Sequence, residues 1–341
     1  MTVLIRLLGL AARHGRLMLI AGLIAGILLP GLAHAMRPWL QELVAGLLFV
    51  TALRIGPRQA LGAISDLPAV TMVALGYQLV LPLLLAAILL ACGWADTRLG
   101  IALVLMLSAA SISGAPSLTI LTGHDPAPAL RILVIGTAIL PLTVLPVFAL
   151  LPAFAGAGQI LASAGWLFLV IAIASCAAFA IRGYWLRHPD REAIAALDGM
   201  SAIAMAIVVV ALMSSVGPAL LDAPLDLLPW LLAACLANLG MQVMASIVLR
   251  HTPLRDQLVP LSIVAGNRNI ALFLVALPPS LTDPLLLFIG CYQIPMYLTP
   301  ILLQHFYGRP DAGPQPDQEL TLDIECLSGN PVCLTISRLV P

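Results

Sequence analysis

Ten apolar stretches follow one another along the chain, at 17–36, 38–56, 68–92, 99–121, 127–151, 159–182, 193–216, 226–249, 258–278 and 284–306. A stretch of about 20 such residues spans the roughly 30 Å hydrocarbon layer of a bilayer. Inside that layer no water pairs with backbone N–H and C=O groups, so the chain must satisfy them within helices. Composition agrees: 61% of the residues are hydrophobic and 9% charged, against roughly 45–50% and about 25% in a soluble domain. The sequence predicts an all-α polytopic membrane protein with ten transmembrane helices.

The 16 acidic and 16 basic residues cancel, and every basic residue is an arginine. Without lysine there is no phosphate-binding P-loop and no amine for a retinal or pyridoxal Schiff base. ATP-driven pumping by this chain is therefore not expected. A balanced charge without a basic run offers nothing to nucleic acid. Cys92, Cys176, Cys235 and Cys291 lie singly in apolar stretches, and Cys326 and Cys333 lack the second pair that a zinc site needs. No metal site, cofactor or enzyme motif is expected.

Arginine placement sets the orientation. With the N-terminus inside, thirteen arginines fall on cytoplasmic segments and only Arg37 and Arg98 outside, a strong positive-inside bias. Both termini are expected in the cytoplasm, with the chain in the inner membrane. The sixteenth, Arg268, falls inside a span. Arg6, Arg13 and Arg16 precede an apolar run ending Ala33-His34-Ala35, which imitates a secretory cleavage site. The internal symmetry described next needs 17–36 as a retained first span.

The segments IGTAILPLTVLP (135–146) and IGCYQIPMYLTP (289–300) share the pattern I-G-x4-P-x4-P. Gly136, Pro141 and Pro146 map onto Gly290, Pro295 and Pro300 at a constant offset of 154. The match lays the fifth span over the tenth. Because five is odd, two such units sit in the membrane with opposite orientation, and inverted repeats are a transporter signature. The expected organisation is a first five-helix repeat at 1–155, a second, inverted one at 156–307 and a polar cytoplasmic tail at 308–341.

The spans ahead of the matched pair are both interrupted. The fourth reads LSAASISGAPSLTIL, with Gly114 and Pro116 among Ser113, Ser117 and Thr119; the ninth reads VPLSIVAGNRNIALFL, with Gly266 followed by Asn267, Arg268 and Asn269. Broken helices free backbone groups at membrane depth, which is tolerated only inside protein or around a watery cavity. Paired breaks in two halves point to a substrate site. Kinks satisfied by neighbouring helices are the structural alternative.

The run GAPSLTILTGHDPAPALRILVIGTAILPLTVLPV, with GNRNIALFL in the ninth span, resembles the bile acid:sodium symporter superfamily, which takes in bacterial homologues. The resemblance implies two inverted five-helix repeats in which the broken fourth and ninth helices cross. A panel domain (spans 1, 2, 6 and 7) then stands against a core domain (spans 3–5 and 8–10). The family's ninth-span pattern is Glu-x-Gly-x-Gln-Asn, whose oxygens hold sodium. Anchored on Gly266 and Asn269, this chain has Val264 for the glutamate and Arg268 for the glutamine. The family's Ser-Asn pair in the fourth span falls on Ala115 and Pro116, and two hydroxyl positions of the fifth span fall on Ala129 and Leu133. Thr119 and Gln78 are similar to family residues. Losing the carboxylate and adding a guanidinium disfavours a bound cation, so the reading is of a transporter without family-type sodium coupling. A sodium symporter of bile-acid-like anions with degenerate sites is the alternative.

An arginine at a span centre costs about 2.5–3.5 kcal/mol on insertion scales and marks a functional site by default. Arg268 is expected to replace the bound cation as a tethered positive charge and to pair with the anionic group of a substrate. A structural pair with a carboxylate, or with carbonyls of the broken fourth span, is the alternative. Asn267, Asn269, Ser113, Ser117, Thr119, Gln78, Asn238 and Gln293 join it as candidate substrate-binding residues, with Gly114, Pro116 and Gly266 as helix breaks. Glu42 and Asp198, read as lying near the first turns of their spans where the helix dipole favours a carboxylate, are candidates to carry a coupling proton. The function expected is a secondary active or facilitative transporter of a small organic anion, whose partners are the bilayer, the anion and a proton or sodium ion. A channel or transporter-derived sensor is the reading of another class.

Overall fold

The computed structural model describes residues 2–154, 156–186 and 189–308, and among them regular structure is helical, with no strand. The tail expected after 308, with Arg309, Cys326, Cys333 and Arg338, lies outside the described residues, as does Arg187.

Helices α1 (Thr2–Arg13) and α2 (Gly15–Leu28) open the chain as a bent pair with axes 86° apart. Then come α3 (Pro30–Met36) and α4 (Leu40–Gly62), joined by one tight turn at Arg37–Trp39. Pro30 takes a first-turn position, where a missing N–H costs nothing, and Leu29 before it is non-helical. The boundary between the first two spans therefore falls at Leu29–Pro30, not at the expected 36–38.

Helices α5 (Leu67–Leu75) and α6 (Leu81–Ala91) form one span with a π-helical turn, Gly76–Val80, in its middle. Next come the half-helices α7 (Arg98–Ser108) and α8 (Ala115–Leu121), then the unbroken α9 (Ala127–Leu150), α10 (Ala157–Trp185) and α11 (Arg191–Leu212). A short α12 (Val216–Asp222) leads into α13 (Pro224–Cys235) and α14 (Met241–Leu249), again one span with a π-helical turn, Leu236–Gly240. Helices α15 (Leu258–Gly266) and α16 (Leu272–Ala276) are a second interrupted pair. The described chain closes with α17 (Pro279–Thr282), α18 (Leu286–Leu302) and α19 (Gln304–Tyr307).

Among the described residues, seven segments are long and apolar enough to cross a bilayer: Pro30–Gly62, Leu67–Ala91, Ala127–Leu150, Ala157–Trp185, Arg191–Leu212, Pro224–Leu249 and Pro279–Leu302. Large apolar side chains such as Leu142, Ile173, Leu225 and Leu236 stand exposed on them. Water would penalise each by about 1.5–3 kcal/mol relative to burial, whereas lipid does not. Exposed Tyr184 and Trp185 end α10, the kind of amphipathic ring that collects at a membrane interface. This is a polytopic membrane protein.

The interrupted segments occupy its interior. Every residue from Val259 to Gly266 is buried, as are all from Leu272 to Ala276. Helix α15 packs on α8, α9 and α14, while α11 packs on α1, α2 and α4 and α10 on α4 and α9. The expected ninth span thus ends its first helix at Gly266, and its second half is a single helical turn or so.

Candidate functional site

Both helix breaks meet in the interior and satisfy one another. Ser111 and Arg268 form an antiparallel bridge. The Ile112 amide donates to the Asn267 carbonyl at 3.0 Å, and the Asn269 amide donates to the Ala110 carbonyl at 2.7 Å. Ala109 and Ala110 are fully buried, and side chains this small allow two backbones to come this close. Backbone groups that leave a helix at membrane depth cost several kcal/mol each if unpaired, so the two interruptions depend on each other.

Arg268 sits at this junction with 1% of its surface exposed. One terminal nitrogen donates to the Leu107 carbonyl at 2.8 Å, in the last turn of α7, and the guanidinium lies 5.5 Å from the centre of the Tyr77 ring. The end of α7 is where orphan carbonyls and the negative pole of a helix dipole favour a cation, and an aromatic face adds to that. Its Nε and Nη1 are buried without hydrogen-bond partners. Tyr292 bridges the break from α18: its hydroxyl donates to the Gly266 carbonyl and accepts the Arg268 amide.

A second, neutral layer adjoins it. Asn238 donates to the Gly266 carbonyl at 2.6 Å and to Asn267 Oδ1 at 3.2 Å. Gln242 donates to Asn238 Oδ1 and Thr299 Oγ1, Thr299 donates to Asn267 Oδ1, and the Tyr307 hydroxyl donates to Gln242 Oε1. Gly266 permits this contact, because a Cβ there would lie 2.2 Å from the Asn238 carbonyl oxygen. No family model matches this chain, and no curated protein matches it.

The candidate residues divide by location. Arg268, Asn269, Gln293 and Ser113 line one small cavity of about 30 Å³ at the crossing, room for a water or a monatomic ion. Asn267 and Asn238 are held in the neutral network. Thr119 is fully buried and donates to the Ala115 carbonyl one turn back. Gln78 is buried in the π turn of the α5–α6 span with its amide unpartnered, against Gly136. Ser117 and Gly114 line a separate cavity of about 320 Å³, and Pro116 a neighbouring one of about 300 Å³. Glu42 is exposed in the first turn of α4. Asp198 is not in a first turn: α11 begins at Arg191 under an Asp190 cap, so Asp198 lies two turns in, ion-paired to Arg54.

Three arginines outside the candidate set matter here. The cavities of about 320 and 300 Å³ share Arg54 and Asp198; Arg13 lines the first and Arg182 the second. Arg182 reaches the wall because α4 kinks at Gly56–Pro57. Gly56 has φ 70 and ψ 165, a conformation that is essentially glycine-only, and a Cβ on it would lie 2.9 Å from Arg182 Nε. Gly56→Ala is expected to lose about 1–3 kcal/mol from the backbone alone and to lower the detergent-solubilised melting temperature. Gly46→Ala on the same helix, where nothing lies within 4 Å, serves as the control and should not lower it.

Proposed function

We propose that this protein is a secondary transporter of a small organic anion, working by alternating access, with the charge of a family sodium ion supplied by Arg268. One observation carries the reading: two interrupted helices hydrogen-bond to each other across the protein interior, with a buried guanidinium at the junction. Paired interruptions of two helices at membrane depth point to a substrate site.

Further features support the finer architecture. Counting the bent α1–α2 pair and the interrupted α7–α8 and α15–α16 segments with the seven long ones makes ten crossings among the described residues. The α5–α6 and α13–α14 spans both carry a five-residue π turn centred on a buried amide, Gln78 and Asn238. These would be equivalent spans of two inverted repeats, and π turns concentrate at functional sites. The I-G-x4-P-x4-P helices α9 and α18 follow at corresponding places. Their glycines meet different neighbours, Gln78 for Gly136 and Leu212 with Val216 for Gly290, so any repeat symmetry is approximate. The arginine distribution supports cytoplasmic termini in a bacterial-type inner membrane.

The two cavities that share Arg54 lie toward the far end of α4 from Arg37, which pairs with Asp283 at 3.2 Å. The distance from Arg37 to Arg54 is about 25 Å at 1.5 Å per residue. The Arg37 end has a cavity of its own, of about 460 Å³, which both members of that pair line.

The test is uptake of labelled taurocholate, pyruvate and benzoate into proteoliposomes under sodium, choline and proton gradients. Saturable uptake of at least one anion, unchanged when choline replaces sodium, is expected. Uptake that requires sodium would establish the sodium-symport alternative, and a large unsaturable conductance would establish a channel.

A further inference from the structure

We infer that the anionic group of the substrate is seated between Arg54 and Arg182 at the kink of α4, and that it binds together with a proton taken up by Asp198. This rests on the transporter reading and adds the headgroup site, its ligand chemistry and its coupling ion.

Charge in the two cavities that share Arg54 is lopsided. Among the described residues lining them, Arg13, Arg54 and Arg182 face a single acid, Asp198. Arg54 from α4 is already paired with Asp198 from α11. Arg182, from α10, has no acid partner among the described residues, and its Nη1 is buried without a hydrogen bond. The kink at Gly56 is what lets this guanidinium approach. A glycine-only backbone conformation that admits an unpaired cation is accounted for by an anion binding there.

A carboxylate fits this arrangement, because guanidinium groups hold it in two-point, planar contact. The cavity also continues into an apolar groove of about 300 Å³. The two share Thr51, Ile55, Ser113 and Leu133, and the groove adds Leu48, Phe168, Ile171 and Phe179. The ligand class is therefore a monocarboxylate with an apolar body, its charge at the arginines and its body in the groove. Ser113 joins both spaces to the helix crossing, so occupancy here is felt at the break.

Asp198 decides the coupling. It lines one cavity with Arg54 and Arg182, and the other with Arg54, Arg13 and Tyr297. While the site is empty Asp198 is ion-paired to Arg54. An arriving carboxylate competes for Arg54 and brings a like charge beside Asp198, and a proton taken up there removes that repulsion. The proton comes from water on the accessible side, and the anion and proton then occupy the cavity as a neutral addition. Binding must weaken as pH rises, because the bound state holds one proton more than the empty one.

Benzoate is the probe, measured by calorimetry on the full-length protein in phosphatidylcholine nanodiscs between about pH 6 and 8. Wild-type affinity should fall about tenfold per pH unit for one linked proton. Titrations in two buffers of different ionisation enthalpy should return about one proton taken up per benzoate. Asp198→Asn should bind benzoate at every pH as wild type does at the acid end, with no proton uptake. Arg182→Gln should weaken binding at least about tenfold, and Arg182→Lys should restore part of it. The proposal is overturned if wild type does not bind benzoate at the acid end, if Asp198→Asn keeps the wild-type pH slope, or if both Arg182 variants bind normally while melting as wild type does. Failure of proteoliposome uptake with this binding intact would sink the transport reading and leave the site standing; normal uptake with Arg182-independent binding would do the reverse.

Discussion

An Arg268→Met variant is expected to lose transport while melting at the same temperature as wild type or above it. The guanidinium makes one side-chain hydrogen bond, to the Leu107 carbonyl, and keeps Nε and Nη1 buried and unpaired. Removing it strands the carbonyl, at about 1–3 kcal/mol. It also removes a charge whose placement at membrane depth costs about 2.5–3.5 kcal/mol. Replacing a poorly compensated buried charge by a well-packed apolar side chain is often neutral or stabilising, and methionine fills irregular space well. Stability therefore does not explain why this residue is an arginine. If its charge holds the break in a transport-competent form, losing a charge-assisted bond of about 1.5–3 kcal/mol lowers uptake roughly ten- to hundredfold. Arg268→Lys keeps the charge without the planar fork and should retain an intermediate rate. Proteoliposome uptake and thermal unfolding are read on the same preparations. Unchanged uptake in Arg268→Met would remove Arg268 from the mechanism, and a parallel collapse of uptake and melting temperature would make it structural.

What can be read from the sequence follows from how far each feature's cause extends along the chain. Gly114, Pro116, Gly266 and Arg268 interrupt apolar runs locally, so the breaks are legible from residue order alone. That the two breaks bridge through Ser111 and Arg268 is a tertiary fact with no local signal. The boundary at Leu29–Pro30 escapes notice because Arg37–Pro38 looks like a stronger stop than a lone proline, yet the chain passes Arg37 in one tight turn and resumes as α4. Asp198 stands out as an acid near membrane depth, but its partner lies 144 residues away. In the sequence Arg54 is only a topology marker. The same holds for Arg182, whose position is intelligible only once Gly56 is seen to kink α4. Gly56–Pro57 is the available signal, a glycine–proline pair inside an apolar run. Tyr77 and Tyr292 look scattered because they belong to different helices; each adjoins a candidate, Gln78 or Gln293, and both contact Arg268. Hydropathy also cannot distinguish a π turn from an α turn, so the pairing of Gln78 with Asn238 emerges only from the backbone.

Gly266→Ala should be among the most damaging single-methyl substitutions in the protein interior. The new Cβ would lie 2.2 Å from the Asn238 carbonyl oxygen and 2.4 Å from Gln242 Cγ. A flexible side-chain tip could yield, but the carbonyl belongs to the π turn between α13 and α14, so α15 must move away from that span. Overpacking of this kind costs about 1–3 kcal/mol and occasionally more. The displacement also breaks contacts that depend on the position of residue 266. Asn238 and Tyr292 both donate to its carbonyl, and Asn267 beside it accepts from Asn238 and Thr299. At about 1 kcal/mol for each bond lost, the total reaches roughly 5–7 kcal/mol, enough to lower the melting temperature by several degrees or to prevent recovery of folded protein. Gly240→Ala is the matched control. It ends the same π turn, two residues from Asn238, and a methyl group added there would meet nothing within 4 Å, so it should be neutral or stabilising by up to about 1 kcal/mol. Equal melting temperatures for Gly266→Ala and Gly240→Ala would mean that the α14–α15 contact is looser than its geometry, and that the break is not held from this side.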